Sequence, residues 1–225
     1  MSKKAATNKH DEFENVEHAL TTSEAFIEKY QKQILYGLGV VAVIVMAFLA
    51  INNFYVKPRA NEAANEMYKS QIYFSTDSFR LALEGDGVES IGFEAISSDY
   101  SLTPSGNLAK VYAGICYYHL GEYDKAINYL SGFDGGDQYF AVMVIGLTGD
   151  CYAELGEPEK AIKYFTKAAD SENEVLAPLY LKKAAIVLES QGNVKDALKN
   201  YLEIKENYPM SVESQDIDKY ISRLQ

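Results

Sequence analysis

The chain has 225 residues, which is enough for one large domain or two small ones. Its 32 acidic and 21 basic side chains give a net charge of −11. This balance argues against a general nucleic-acid binder, because such proteins need a basic surface to displace counterions from phosphates. Two cysteines exclude a disulfide scaffold, and three histidines leave little material for metal ligation, so we expect no cofactor and no metal site.

One long uncharged segment lies near the amino terminus. Residues 34–51 read ILYGLGVVAVIVMAFLAI, and a helix of this length spans about 27 Å, close to the roughly 30 Å hydrocarbon core of a bilayer. Aromatic rings at Tyr36, Phe54 and Tyr55 lie near its ends, where they favour the membrane interface. The segment predicts a transmembrane helix over 34–56.

Two other interpretations of this segment stay open. One is a buried core helix, and the other is a cleaved signal peptide. A signal peptide has a shorter apolar core after a short basic start, whereas 33 residues of mixed charge precede this segment. We therefore favour an uncleaved signal anchor.

Charge leaves the orientation of the predicted span open. The polar tail, residues 1–33, holds five lysines and six acidic residues, and similar numbers of basic residues flank the span on each side. Because the tail has a net charge of −1 and the span has none, residues 57–225 carry the remaining −10. We prefer the short tail inside and the large acidic part outside.

Residues 57–106 predict membrane-proximal helices that form an atypical opening repeat. Pro58 suits the first turn of a new helix just beyond the membrane. An amphipathic helix is then indicated by the apolar spacing of Ala60, Ala64, Met67, Phe74 and Leu81. The GDG at 85–87 ends it, and 88–99 predict a shorter helix.

Three segments of the remaining chain align without gaps. They are residues 112–130, 147–165 and 183–201, each with a glycine at a turn and an alanine five residues later. The glycines are Gly121, Gly156 and Gly192, and the alanines are Ala126, Ala161 and Ala197. The alanines lie 35 and 36 residues apart, a period typical of stacked helix–turn–helix units that bury their faces on their neighbours.

Large side chains recur in fixed registers of these units and predict their core. They are Tyr117, Tyr152 and Leu188 in the first helices, and Leu130, Phe165 and Tyr201 in the second. Cys116 and Cys151 share another register and suit a small core position, since neighbouring helices pack too far apart for a disulfide. Ser211 is expected to cap a final helix whose apolar face comprises Ile217, Tyr220, Ile221 and Leu224.

The three units resemble the tetratricopeptide repeat (TPR) family, whose unit is an antiparallel helix pair. The resemblance covers about residues 107–209, although the tryptophan usual near the start of a unit is absent. It implies an all-α fold, in which a single transmembrane helix precedes a TPR-type α-solenoid. The solenoid and its C-terminal capping helix occupy residues 107–225.

The resemblance also implies a concave groove, lined by the first helix of each unit, that binds peptides or partner helices. In this sequence the groove register falls on Leu108, Val111, Ile115, Tyr118, Met143, Asp150, Glu154, Leu179, Lys182 and Ile186. Such a groove is apolar at one end, and mixed and acidic at the other. Catalysis is not expected, because His119 is the one histidine of the folded part and a solvated side chain is its simplest role.

A narrower resemblance rests on YFSTDSFRLALEGDG (73–87) and GNLAKVYAG (106–114). Together with the short tail and single span, these stretches look like the YfgM-like family of bitopic proteins in the bacterial inner membrane. That resemblance implies an ancillary Sec translocon subunit with a periplasmic, chaperone-like TPR domain. Its partners are translocon components, secreted or unfolded chains and other chaperones. The alternatives are a scaffold for envelope protein assembly and a homo-oligomeric solenoid.

Overall fold

A computed structural model describes residues 29–137, 139–171 and 173–225 of the chain. Most of the predicted polar tail, residues 1–28, lies outside the described residues. Every regular element within the described ranges is a helix. The chain divides into two units, with the boundary between Tyr55 and Val56, and the second unit carries all the helix pairs.

The first helix, α1, runs from Lys29 to Ser75. Its most apolar stretch has a mean hydropathy of 2.8 and is 0% buried. By length and composition this helix is a candidate membrane span, the one found among the described residues. A core helix of a soluble protein would be mostly buried, so that interpretation does not fit the observed exposure.

Pro58 lies in the first turn of the α-helical segment Lys57–Ser75, as predicted, although a π turn makes this segment continuous with the preceding part of α1. The residue lies inside α1, directly after a π-helical turn over Asn52–Val56. Proline lacks an N–H and its ring crowds the carbonyl of the preceding turn, so a regular α-helix is disturbed there. A π turn widens the backbone and lets the helix continue through the proline.

The buried face of α1 agrees with the predicted one at Met67 and Phe74, but not at Ala64. Ala63, Met67 and Ser70 are buried, at i, i+4 and i+7, whereas Ala64 and Leu81 are exposed. The prediction failed at Leu81 because it carried one helical register through that residue, although α1 ends at Ser75. Asp77 follows with a φ of 56°, a left-handed conformation that redirects the chain.

Two short helices, α2 (Phe79–Glu84) and α3 (Gly92–Asp99), follow on either side of the GDG turn. The turn breaks the helix as predicted, but residues 88–91 form a loop and not the start of α3. Asp86 organises this loop, because one carboxylate oxygen accepts the backbone N–H groups of Val88, Glu89 and Ser90. Its other oxygen accepts the Tyr73 hydroxyl at 2.7 Å, which ties the loop to α1.

Three helix pairs follow, as the repeat predicts. The pairs are α4 (Pro104–His119) with α5 (Tyr123–Ser131), α6 (Phe140–Glu154) with α7 (Pro158–Ala169), and α8 (Ala177–Ser190) with α9 (Val194–Asn207). Each turn glycine has a positive φ between 71° and 76°, a conformation that other residues adopt only with strain. The three alanines of the second helices are fully buried, which lets the paired helices approach closely.

Within the first two pairs a second glycine makes room for a large side chain. A Cβ atom on Gly114 would lie 2.7 Å from the Leu130 side chain, and one on Gly149 would lie 2.7 Å from the Phe165 ring. Leu130, Phe165 and Tyr201 are almost completely buried, as predicted. Tyr152 and Leu188 are only partly buried and pack on the edge of the core.

The last helix, α10, spans Ile217–Leu224 and packs on α9. Ile217 and Ile221 are buried, and Tyr220 and Leu224 pack against the same core, so α10 closes the solenoid as the capping helix. Ser211 does not cap α10 directly. Its hydroxyl accepts the backbone N–H of Ser214, which lies in a 3₁₀ turn over Glu213–Gln215 that precedes α10.

Candidate binding groove

The first helices of the three pairs line a partly open cavity of ≈ 270 Å³, called here the groove cavity. Its lining residues are Val111, Ile115, Phe140, Met143, Val144, Leu147, Asp150 and Tyr180. Val111, Ile115, Met143 and Asp150 belong to the register predicted from the sequence. The groove cavity is therefore a mostly apolar site at which α4, α6 and α8 converge.

The shape of the groove cavity depends on a glycine. A Cβ atom on Gly146 would overlap the Tyr180 ring, so glycine at this position allows Tyr180 of α8 to pack directly on α6. Tyr180 is only 5% exposed, and burial raises its pKa to about 12. The phenol therefore stays uncharged at neutral pH and forms a largely apolar wall.

The floor and the rim of the groove cavity differ in exposure. Val111 is 2% exposed and forms part of the floor, whereas Met143 is 51% exposed and lies at the rim. Because Met143 borders the apolar lining of the groove cavity, it extends one continuous apolar surface and is not an isolated exposed residue. Methionine suits this place because its flexible side chain adapts to different partners.

The one acidic residue that lines the groove cavity is neutralised by a neighbouring helix. Lys183 donates to both carboxylate oxygens of Asp150, at 2.7 and 2.8 Å. The same ammonium lies within 5.8 Å of the centroids of the Phe165 and Tyr180 rings. The groove cavity is therefore less acidic than the sequence suggested, since the prediction assigned Asp150 no basic partner.

Lys182, the basic residue predicted for the groove, contacts the capping helix. Its ammonium donates to Asp216 at 2.6 Å and lies 4.8 Å from the centroid of the Tyr220 ring. This hydrogen bond is the main cause that lowers the pKa of the Asp216 carboxyl. Lys182 thus holds α10 on the solenoid and does not line the groove cavity.

The other predicted positions also lie outside the lining of the groove cavity. Leu108 and Tyr118 are partly buried against the core of the first pair. Glu154 is exposed and accepts the Tyr123 hydroxyl at 3.5 Å, while Ile186 is 45% exposed on α8. Leu179 lines a different cleft, at the C-terminal end of the solenoid.

Four lining residues were missed by the transferred register: Phe140, Val144, Leu147 and Tyr180. Three of them, with Met143, follow an i, i+3, i+4, i+7 spacing along α6, a periodicity that predicts one apolar helix face. This pattern alone could have identified them. Tyr180 required the structure, because its position depends on the space that Gly146 leaves.

The remaining described residues with reactive side chains, one histidine and two cysteines, take part in packing. His119 is exposed, as expected, yet its ring stacks on Phe79 with centroids 4.3 Å apart. Cys116 and Cys151 are free and fully buried, and burial raises the pKa of each thiol to about 12. Such thiols carry almost no thiolate at neutral pH and are poor nucleophiles.

Comparison with known families agrees with this geometry. Two family models, each described as a tetratricopeptide repeat, match residues 108–133 and 146–174. These ranges cover most of the first and second helix pairs, and α8–α9 repeat the same design beyond them. No curated protein matches the chain.

The matches and the stacked helix pairs together support a TPR protein built as an α-solenoid. Proteins with such repeats are generally non-enzymatic scaffolds that bind other proteins. The repeats therefore indicate a protein-interaction adaptor.

Proposed function

We propose that this protein is a membrane-tethered adaptor that binds extended apolar segments of other proteins in the groove cavity. The observation that carries the proposal is a cavity lined by the first helix of each of the three pairs, with apolar walls and one acidic residue that is already ion-paired. Because an unpaired charge would be costly to bury there, such a site favours neutral apolar side chains over charged ones.

The tether completes the adaptor in this proposal. Residues 34–56 span the membrane, the tail 1–33 lies on the cytoplasmic side, and residues 57–106 and 107–225 form the membrane-proximal and binding regions. Anchoring confines the groove cavity to the membrane surface, and this confinement raises its effective concentration for any segment that emerges there. The length, composition and exposure of α1, the candidate membrane span, support this arrangement.

The more specific proposal is an ancillary subunit of the Sec translocon in the bacterial inner membrane, with the TPR domain in the periplasm. It rests on the resemblance of residues 73–87 and 106–114 to the YfgM-like family. In that role the groove cavity receives secreted chains before they fold and passes them to other chaperones. An apolar cavity with a neutralised acid suits such incompletely folded chains.

Binding to the groove cavity is tested with a fluorescent, neutral peptide rich in leucine and serine. The full chain is reconstituted in lipid nanodiscs, and affinity is measured by fluorescence anisotropy. We expect Ile115→Glu and Met143→Glu to weaken binding about tenfold, because each places an unpaired charge against an apolar ligand. Met143 is half exposed, so its variant leaves the fold intact.

The matched control is Leu102→Glu, since Leu102 is exposed and lies outside the groove cavity. Its affinity should equal that of the wild type. Equal affinities for the control and for both folded groove variants would contradict the groove assignment. A single stoichiometric partner recovered from membranes would favour the scaffold alternative, and adducts only between copies would favour the homo-oligomer.

The orientation is tested separately by protease protection. In sealed inverted vesicles from the inner membrane, the fragment 57–225 should resist added protease until detergent opens the vesicle. Digestion without detergent would place the TPR domain in the cytoplasm and contradict the translocon role.

A further inference from the structure

A second apolar cleft lies at the C-terminal end of the solenoid and shares no lining residue with the groove cavity. It has a volume of ≈ 590 Å³ and is called here the edge cleft. Its walls come from the start of the third pair, residues 174–179, and from the end of α9 with the loop that follows, residues 207–213. The two segments include the connections that precede and follow the third helix pair.

The edge cleft exposes large apolar side chains to solvent. Met210 is 95% exposed, Val212 is 74% exposed and Val175 is 66% exposed. Leu176, Leu179 and Tyr208 lie behind them as partly buried side chains that pack on the C-terminal core. Exposed apolar residues grouped around a cleft are typical of a contact surface, in contrast to single exposed residues, which are common.

The charges at the edge cleft are negative and unpaired. Glu174 and Glu213 line it, and no lysine or arginine does. Neither glutamate forms an ion pair with a described residue, whereas Asp150 of α6 and Asp216, the residue before α10, both do. The carboxylates are therefore available to a positively charged partner, and they differ in this respect from the neutralised acid of the groove cavity.

We propose that the edge cleft docks a positively charged segment of another protein, which inserts large apolar side chains between residues 174–179 and 207–213. The apolar side chains bury Val175, Met210 and Val212, and the flanking lysines or arginines pair with Glu174 and Glu213. A second copy that docks through its own edge cleft presents the same two acids and is repelled. Anionic lipid headgroups are repelled for the same reason. The proposal does not depend on the function assigned to the groove cavity.

The test uses the full chain in nanodiscs of zwitterionic lipid and a labelled amphipathic peptide made of leucine and lysine. We expect this peptide to bind at least about tenfold more tightly than its leucine–glutamate counterpart. The double variant Glu174→Gln/Glu213→Gln should lose about fivefold to tenfold in affinity. The charge control is Glu159→Gln, an exposed glutamate of α7 that does not line the edge cleft, and it should bind like the wild type.

The apolar contribution is tested in the same assay. Val175→Ser/Met210→Ser should weaken binding about tenfold, and Leu102→Ser should not, although Leu102 is as exposed as Val175. The Ile115→Glu variant should bind the leucine–lysine peptide with unchanged affinity. This result would show that the peptide binds at the edge cleft and not in the groove cavity. A photo-crosslinker placed at Met210 should form an adduct with the peptide.

Three outcomes would overturn the proposal. The first is equal affinity of the wild type for the basic and the acidic peptide. The second is an unchanged affinity in both folded double variants. The third is a Met210 crosslink only to lipid or to a second copy, which would assign the exposed side chains to a membrane contact or to self-association.

Discussion

The Lys183 ammonium of α8 forms an ion pair with both carboxylate oxygens of Asp150 in α6, at nitrogen–oxygen distances of 2.7 and 2.8 Å. The pair connects the first helices of the second and third units beside the groove cavity. The pair compensates the one acidic charge in the lining of the groove cavity and also holds two consecutive repeats together.

The energetic coupling of this pair can be measured by a double-mutant cycle. We expect a coupling of about 1 kcal/mol between Asp150→Asn and Lys183→Met, because the two side chains are 25% and 34% exposed and water screens them in part. Denaturant unfolding of the full chain in detergent, followed by circular dichroism, provides the four free energies. Coupling should decrease at high salt, and a value of zero would show that the pair does not hold the two repeats together.

Gly146 is predicted to be intolerant of any side chain. The change Gly146→Ala should lower the free energy of unfolding by about 1–3 kcal/mol, because the added Cβ overlaps the Tyr180 ring. Gly136→Ala is the matched control, since a Cβ atom there meets nothing within 4 Å, and it should change stability by less than about 0.5 kcal/mol. Equal effects of both variants in denaturant unfolding would refute the packing account.

The Asp86 loop predicts a pH dependence of stability. Hydrogen bonds from the Ser90 N–H, the Tyr73 hydroxyl and the neighbouring backbone N–H groups lower the pKa of the Asp86 carboxyl in the folded protein. A lowered folded-state pKa stabilises the fold above the unfolded-state value of about 3.9, and this stabilisation is lost as the pH falls through the folded-state pKa.

The experiment compares wild type with Asp86→Asn, which retains an oxygen acceptor but has no charge to titrate. Below about pH 4 the stability of the wild type should fall more steeply than that of the variant. Thermal unfolding across an acid pH series measures both slopes. Parallel curves would show that Asp86 does not contribute to acid unfolding.

The exposure of Met210 at the edge cleft also has a measurable consequence in the free protein. The side chain of Met210 is 95% exposed, whereas that of Met67 is 4% exposed. We expect dilute peroxide to convert Met210 to the sulfoxide much faster than Met67, and addition of the leucine–lysine peptide should protect Met210. Peptide mass spectrometry reads out both positions, and an unprotected Met210 at saturating peptide would argue against docking at the edge cleft.

Local patterns in the sequence were sufficient to predict the helix pairs. A fixed register predicts the turn glycines, the buried alanines and the burial of Phe165, because every repeat packs on its neighbours in the same way. The capping helix likewise follows from the apolar spacing that begins at Ile217. These are properties of single helices and their immediate neighbours.

The groove was only partly predictable, because its lining depends on contacts between repeats. Asp150 faces Lys183, which stands one position away from the predicted Lys182, and neither pairing is encoded in the repeat itself. Along α1, Pro58 correctly predicted the first turn of the segment Lys57–Ser75, but not the π turn that joins this segment to the preceding residues. That π turn accommodates the proline, and the number of residues in a helical turn cannot be read from proline alone.

The most direct test of the central claim is photo-crosslinking from Met143, at the rim of the groove cavity, in native membranes. A secretory chain is arrested during translocation, and the crosslinker is activated while the chain is still exposed. We predict adducts between Met143 and apolar stretches of the arrested chain, and we predict their loss when Ile115→Glu is added. Absence of adducts in the folded protein, or adducts that persist in the Ile115→Glu variant, would contradict binding in the groove cavity.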